Sequence, residues 1–110
     1  MDKSTIIERL STLPGAIHEQ EKALIAAMET QAEFEAKLRA KEAELLLSGA
    51  IDGKNAEIRA AQMAEKTAAE KAALKEAEKA VAEMRARLNL THLEFKAARA
   101  IATLLAGEVA

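Results

Sequence analysis

The chain has 110 residues, of which 31% are charged, and its formal net charge is -2. This balance excludes strong non-specific attraction to nucleic acid by the molecule as a whole. The absence of cysteine excludes a disulfide framework and a thiolate metal site. Ala, Glu, Lys, Leu and Arg dominate with helical spacing, which is typical of long helices and coiled coils. We therefore expect one all-α domain over residues 1–110.

The sequence also bears on the compartment. Its start lacks the uncharged apolar core of a signal peptide, and no apolar run approaches the length of a membrane span. We therefore expect a cytoplasmic protein with no membrane partner.

The first predicted element is a short helix over 4–13. Thr5 and Glu8 have the spacing of a capping box at its start. Pro14 disfavours helical geometry at Leu13 and suits the first turn of a new helix. We therefore expect a tight corner at the proline.

A long helix is predicted over 14–47. It carries a seam of residues spaced by seven, which predicts that this face packs on a partner helix. The seam consists of Ile17, Leu24, Gln31, Leu38 and Leu45, widened by Ala27, Met28 and Phe34. We expect the glutamine either to fix the register or to lie at a wet edge of the seam.

A glycine-containing turn over 48–54 separates this helix from a second long helix over 55–106, with Asp52 or Asn55 as its cap. The second helix carries its own heptad seam, formed by Leu74, Ala77, Val81, Met84, Leu88, Thr91, Phe95, Ala98, Ala102 and Leu105. Thr67 and Glu70 have capping-box spacing, so a break near Lys66 stays open, although the lack of Gly or Pro there favours continuity.

Folding at the turn predicts a long antiparallel hairpin in which paired residue numbers sum to about 102. The helix after about Ala98 then projects beyond its partner. Beside the seam this region has a second apolar line, which needs another surface to cover it. We expect that surface to be another protomer in a homo-oligomeric helix bundle. The predicted oligomer interface is Leu90, Leu93, Ile101, Leu104 and Leu105.

The sequence argues against an enzyme and against a resident metal or other cofactor. Its carboxylates fall on helix faces mixed with Lys and Arg, a pattern typical of exposed ion pairs rather than of acid and base catalysis. His18 and His92 belong to different levels of the hairpin. Glu21 lies one turn from His18, but two ligands are too few for a metal site.

The turn over 49–55 has glycines, a lysine and a following helix, as a phosphate loop does. However, only three residues separate Gly49 from Gly53, and Asn55 replaces the hydroxyl residue, so the signature for nucleotide hydrolysis is absent. Two interpretations stay open. The residues form a helix stop, a turn and a cap, or Lys54, Asn55 and Arg59 hold a phosphate at the start of the helix.

The carboxy-terminal region is locally basic. Residues 84–110 carry two acidic and four basic residues. Arg85, Arg87, Lys96 and Arg99 could, repeated by symmetry, line a pocket for an anion or a track for nucleic acid. The alternative is that they provide solubility and pair with acidic residues of the first arm. The scarcity of aromatic residues weakens the nucleic-acid interpretation.

Two motifs carry a resemblance. Gly53, Lys54, Asn55 and Arg59 form a Gly-Lys-Asn-x-x-x-Arg turn and helix start, and residues 95–100 read Phe-Lys-Ala-Ala-Arg-Ala. Over residues 45–105 the chain resembles small helical accessory proteins of phages and prophages. The resemblance implies a product found near recombination or replication functions, located in the host-cell cytoplasm.

Together these features predict a non-enzymatic phage or prophage accessory protein that acts by binding through a homo-oligomeric helical bundle. Its partner would be another protein or a second copy of itself. One alternative is a sponge that sequesters a phosphorylated nucleotide immune signal, as an anti-defence protein does. The other is an accessory of DNA recombination or replication.

Overall fold

The computed structural model describes the backbone of residues 2–109 and the side chains of residues 2–107. This part of the chain contains no strand and forms three helices: α1 (Lys3–Leu47), α2 (Ala56–Lys66) and α3 (Ala68–Val109). The helices fold into a hairpin in which α1 packs antiparallel to α3. The predicted all-α class and helical hairpin are confirmed.

The hairpin divides into two compact units. One unit joins Met1–Ala26 to Ala82–Ala110, and the other is the continuous segment Ala27–Val81, which contains the turn. We call them the terminal unit and the turn unit.

The two predicted seams form the packed faces of the helices. All ten seam positions predicted between Leu74 and Leu105 are buried or half-buried, with Ala98 only 2% exposed. The five heptad positions predicted in α1 are likewise buried or half-buried. Met28, expected to widen the α1 seam, is exposed instead, because it lies to one side of the seam.

The predicted corner at Pro14 is wrong, because α1 is helical on both sides of the proline. Pro14 removes one backbone donor from the helix and is itself exposed. The apolar heptad continues through this position, and Ile6, Leu10 and Leu13 are buried or half-buried with the rest of the seam. Packing of a continuous apolar face therefore outweighs the local effect of the proline.

The start of α1 also differs from the prediction. The carboxylate of Asp2 accepts a hydrogen bond from the backbone N–H of Thr5 at 2.8 Å, so Asp2 acts as the cap. This backbone hydrogen bond lowers the pKa of Asp2, because it stabilises the ionised carboxylate. The capping box expected from Thr5 and Glu8 is displaced, because the helix begins at Lys3, two residues before Thr5.

The predicted overhang of the second arm is wrong as well. In the terminal unit, residues from both arms line one groove of about 340 Å³: Lys3, Ile6, Ile7, Leu10, Ala102, Leu105 and Ala106. Leu10 was expected near His92, but it shares this groove with Ala102. The start of α1 therefore lies further along α3 than the sequence predicts.

Near the turn the predicted register is closer to the observed one. In the turn unit, Phe34 lines one depression with Ala69 and Ala73, so the paired numbers sum to values only slightly above the expected one. Lys37 lies over the ring of Phe34, at 5.1 Å from its centroid. The register error is therefore larger in the terminal unit than in the turn unit.

Thr67 decides the question of the helix break. It separates α2 from α3 with φ -113° and ψ 12°. Its hydroxyl donates to the carbonyl of Met63 at 2.7 Å, so it does not cap the helix that follows. The carbonyl of Thr67 still accepts from the N–H of Lys71. The break is thus one fully buried residue wide.

Two glutamines interrupt the α1 seam. Gln31 is half-buried and its amide donates to the carboxylate of Glu35 on the same helix at 3.0 Å. This contact agrees with the wet-edge interpretation of Gln31. The amide oxygen of Gln20 is buried and has no hydrogen-bond partner. An acceptor left in this state lowers the stability of the seam.

Candidate functional site

The turn between α1 and α2 begins at a glycine whose backbone conformation other residues rarely adopt. Gly49 has φ 76°, in the left-handed region. The N–H of Gly49 donates to the carbonyl of Leu46, and the N–H of Ala50 donates to the carbonyl of Leu45. This pair of bonds is a Schellman motif, and it ends α1.

The rest of the turn is closed by side chains of α2. Gln62 donates to the carboxylate of Asp52 and accepts from the backbone N–H of Gly53, both at 2.9 Å. Arg59 donates to the carbonyl of Gly53 at 3.1 Å. Asn55 caps α2 by accepting from the N–H of Ile58. Of the two caps proposed from the sequence, Asn55 is thus correct.

Gly53 is needed for a different reason from Gly49. A Cβ atom there would lie 2.5 Å from the Cγ2 of Ile58 and 3.1 Å from the backbone nitrogen of Arg59. The turn therefore packs against the first turn of α2. No pattern in the sequence predicts the part played by Gln62, since its two partners lie nine and ten residues away.

These contacts bear on the phosphate interpretation of the turn. Among its proposed residues, Asn55 is used as the cap and Arg59 is used to close the turn. The N–H of Gly53 also donates within the turn, to Gln62. The geometry favours a stop, turn and cap, with Lys54 exposed beside them.

A second candidate site is an exposed apolar stripe on α3 in the terminal unit. Leu90, Leu93 and Leu104 are 57%, 61% and 69% exposed. They share one face with smaller exposed residues, and we call the whole set the Leu-Ala stripe: Leu90, Leu93, Ala97, Ala100, Leu104 and Gly107.

The spacing of the Leu-Ala stripe is three and four residues in alternation, the period of a coiled-coil seam. Ala100 lies two residues beyond the buried Ala98, which places it about 200° further round the helix. The stripe therefore faces away from the seam that packs on α1. Continuing the heptad from Leu90 would have identified Ala100 from the sequence.

Two members of the predicted oligomer interface are less exposed than the other three. Leu105 is half-buried and lines the groove shared with α1, so it is part of the seam within the hairpin. Ile101 is half-buried and lies at the edge of the Leu-Ala stripe. The structure leaves Leu90, Leu93 and Leu104 as the strongly exposed positions.

The predicted basic patch divides by helix face. Arg85, His92, Lys96 and Arg99 follow one line along α3, and all four are exposed. Arg87 lies two residues after Arg85 and so on another face. Arg99 lies over the ring of Phe95, at 5.8 Å from its centroid, which orients its guanidinium. Lys54 and Arg59 belong to the turn unit.

The two histidines, His18 and His92, are both exposed. Over the described residues, no group of three or more His, Asp or Glu side chains is placed to hold a metal ion. Within the same part of the chain, no helix combines the length and the apolar character of a membrane span.

Comparisons with known proteins add no further constraint. No protein-family model matches the chain, and neither the curated proteins nor the solved structures contain a significant match.

Proposed function

We propose that this protein is a non-enzymatic binding protein that assembles with copies of itself through the Leu-Ala stripe. The observation that carries the proposal is the exposure of three leucines at coiled-coil spacing on one face of α3. An apolar face of this kind is typical of a surface that a partner covers. The resemblance described above supports a place among phage and prophage accessory proteins.

The free energy gained by burying the exposed leucines indicates how tight such an assembly would be. Complete burial of one leucine contributes about 1.5–3 kcal/mol. Six leucines in a dimer, each roughly 60% exposed beforehand, would therefore contribute on the order of 5–11 kcal/mol. Association costs about 4–15 kcal/mol in lost freedom. The two terms are similar, so we expect a dimer whose population rises with protein concentration.

Leu104→Asp tests the assembly. The new carboxylate would lie within an apolar contact, so the variant should have the mass of a single protomer where the wild-type protein is dimeric. Native mass spectrometry over a range of protein concentrations measures this. The same spectra would reveal a small ligand as an added mass of a few hundred daltons.

Leu47→Asp is the matched control, because Leu47 is 89% exposed and lies at the end of α1, outside the Leu-Ala stripe. It should leave the oligomer unchanged. If Leu104→Asp kept the wild-type mass, or if both variants dissociated equally, the Leu-Ala stripe would not be the interface.

A second candidate function is favoured by the basic line of α3. We propose that Arg85, Lys96 and Arg99 bind a small phosphorylated ligand, with Arg99 already oriented by Phe95. Arg99→Ala should weaken nucleotide binding about tenfold, the value of one charged hydrogen bond. Arg87→Ala, on another face, should leave it unchanged.

Titration calorimetry with a nucleotide at two salt concentrations measures both effects. Doubling the salt should weaken binding to the wild-type protein, since phosphate contacts are screened by salt. Equal affinity for the wild-type protein and the Arg99→Ala variant at both salt concentrations would rule out this site.

A further inference from the structure

The Leu-Ala stripe has a symmetry that its exposure alone does not reveal. From Leu90 to Gly107 its residues are separated by three, four, three, four and three positions. The same intervals are read from either end. Two copies of the stripe can therefore be laid in opposite directions with every position meeting another position of the stripe.

Resting on the proposed self-association, we infer that two copies pair their α3 helices antiparallel, with a two-fold axis between Ala97 and Ala100. Leu93 then packs on the partner's Leu104, and Leu90 packs on the partner's Gly107. The pair of alanines at the axis lets the two helices approach closely. The occupant of the Leu-Ala stripe is thus a second copy of this chain in reversed orientation.

Side-chain size favours this orientation over a parallel one. In a parallel pair in register, Gly107 would meet the partner's Gly107 and leave the end of the contact poorly filled. In the antiparallel pair each Gly107 receives a leucine. Interiors are close-packed, so the arrangement that distributes large and small residues evenly is favoured.

The flanks of the stripe support the same orientation. Ile101 is half-buried beside the stripe. The antiparallel register places it next to the partner's Ile101, whereas a parallel register places it near the partner's Lys96. The dipoles of two antiparallel helices also oppose each other favourably. One contact acts against the pair, because Lys96 approaches the partner's Lys96, but both side chains are exposed and this repulsion is small.

Disulfide trapping tests the orientation directly, because the natural chain has no cysteine. Leu93→Cys and Leu104→Cys are prepared separately, one of them with a mass tag, and are oxidised alone and as a mixture. We expect the mixture to form a covalent heterodimer. Each variant oxidised alone should form little covalent dimer. In the antiparallel pair the two Leu93→Cys positions are eleven residues apart along the axis, about 16 Å, which is beyond disulfide reach.

Lys75→Cys, an exposed position in the turn unit, gives the background from random collision. Efficient cross-linking of Leu93→Cys with itself would establish a parallel pair and overturn the inference. A wild-type dimer in native mass spectra, with mixed cross-linking no higher than that background, would also overturn it. If the wild-type protein stayed monomeric at every concentration, the proposed self-association itself would be wrong.

Discussion

Glutamate in place of Ala98 should destabilise the protein by more than about 3 kcal/mol, the largest loss that we expect from any single substitution at a seam alanine. Ala98 is 2% exposed on the α3 seam, in the terminal unit. A glutamate there would bury a carboxylate without a partner and would also overfill the contact. Urea unfolding followed by circular dichroism measures the change in unfolding free energy.

The matched control is Ala82→Glu, at an exposed position of the same helix and the same unit. It introduces the same side chain into the same helix, so differences in helix propensity cancel. We expect Ala82→Glu to lie within about 0.5 kcal/mol of the wild-type protein. Equal unfolding midpoints for the two variants would mean that Ala98 does not face the partner helix.

Alanine in place of Pro14 should stabilise the protein by about 1–3 kcal/mol. Pro14 lies inside α1, where a proline removes a backbone hydrogen bond and its ring crowds the preceding turn. Alanine restores the donor without adding buried volume, because the site is exposed. The same urea experiment gives the size and the sign of the change.

The sign of this change in unfolding free energy distinguishes a proline inside a helix from a proline that begins one. If Pro14 were the first residue of a new helix, as its sequence context suggests, its fixed backbone angle would be favourable and alanine would destabilise the protein. Gly15→Ala provides a comparison at the next position, where an added Cβ meets nothing within 4 Å. It should raise stability by only about 0.5–1 kcal/mol, the usual gain for Gly to Ala in a helix.

The long periodic segments could be predicted from the sequence because their signal is repeated many times. Each seam residue of α3 has apolar or small neighbours three and four positions away. One exceptional position therefore does not remove the helical pattern. Met28 shows the limit of this reasoning, since an apolar residue close to a seam still points into solvent.

The prediction at Pro14 was wrong because it used only the local preference of proline. The apolar heptad of α1, which extends over a longer range, outweighs that preference. Proline favours a corner only where no stronger interaction stabilises the continued helix. Here Ile6 and Leu10 extend the heptad of α1 beyond the proline, and their burial at the seam favours continuity.

The candidate site was predictable only in part. The leucines of the Leu-Ala stripe were identified because they form a second apolar line beside the seam. Ala100 was missed because an alanine carries little apolar signal by itself. The use of Arg59 and Gln62 to close the turn could not be read from the sequence, since polar side chains reach partners at distances that no period encodes.

The turn has a consequence for the order in which the chain folds. Asp52 and Gln62, only ten residues apart, are joined by a hydrogen bond, whereas Ile6 and Ala102, which line one groove, stand near opposite ends of the chain. Closing a short loop costs less entropy than closing a long one. Once the turn has formed, each further pair of residues along the hairpin closes a loop only slightly longer than the last, so pairing can spread outward as a zipper. Loosening the turn would therefore slow the formation of every later pair, even where the seam residues themselves are unchanged.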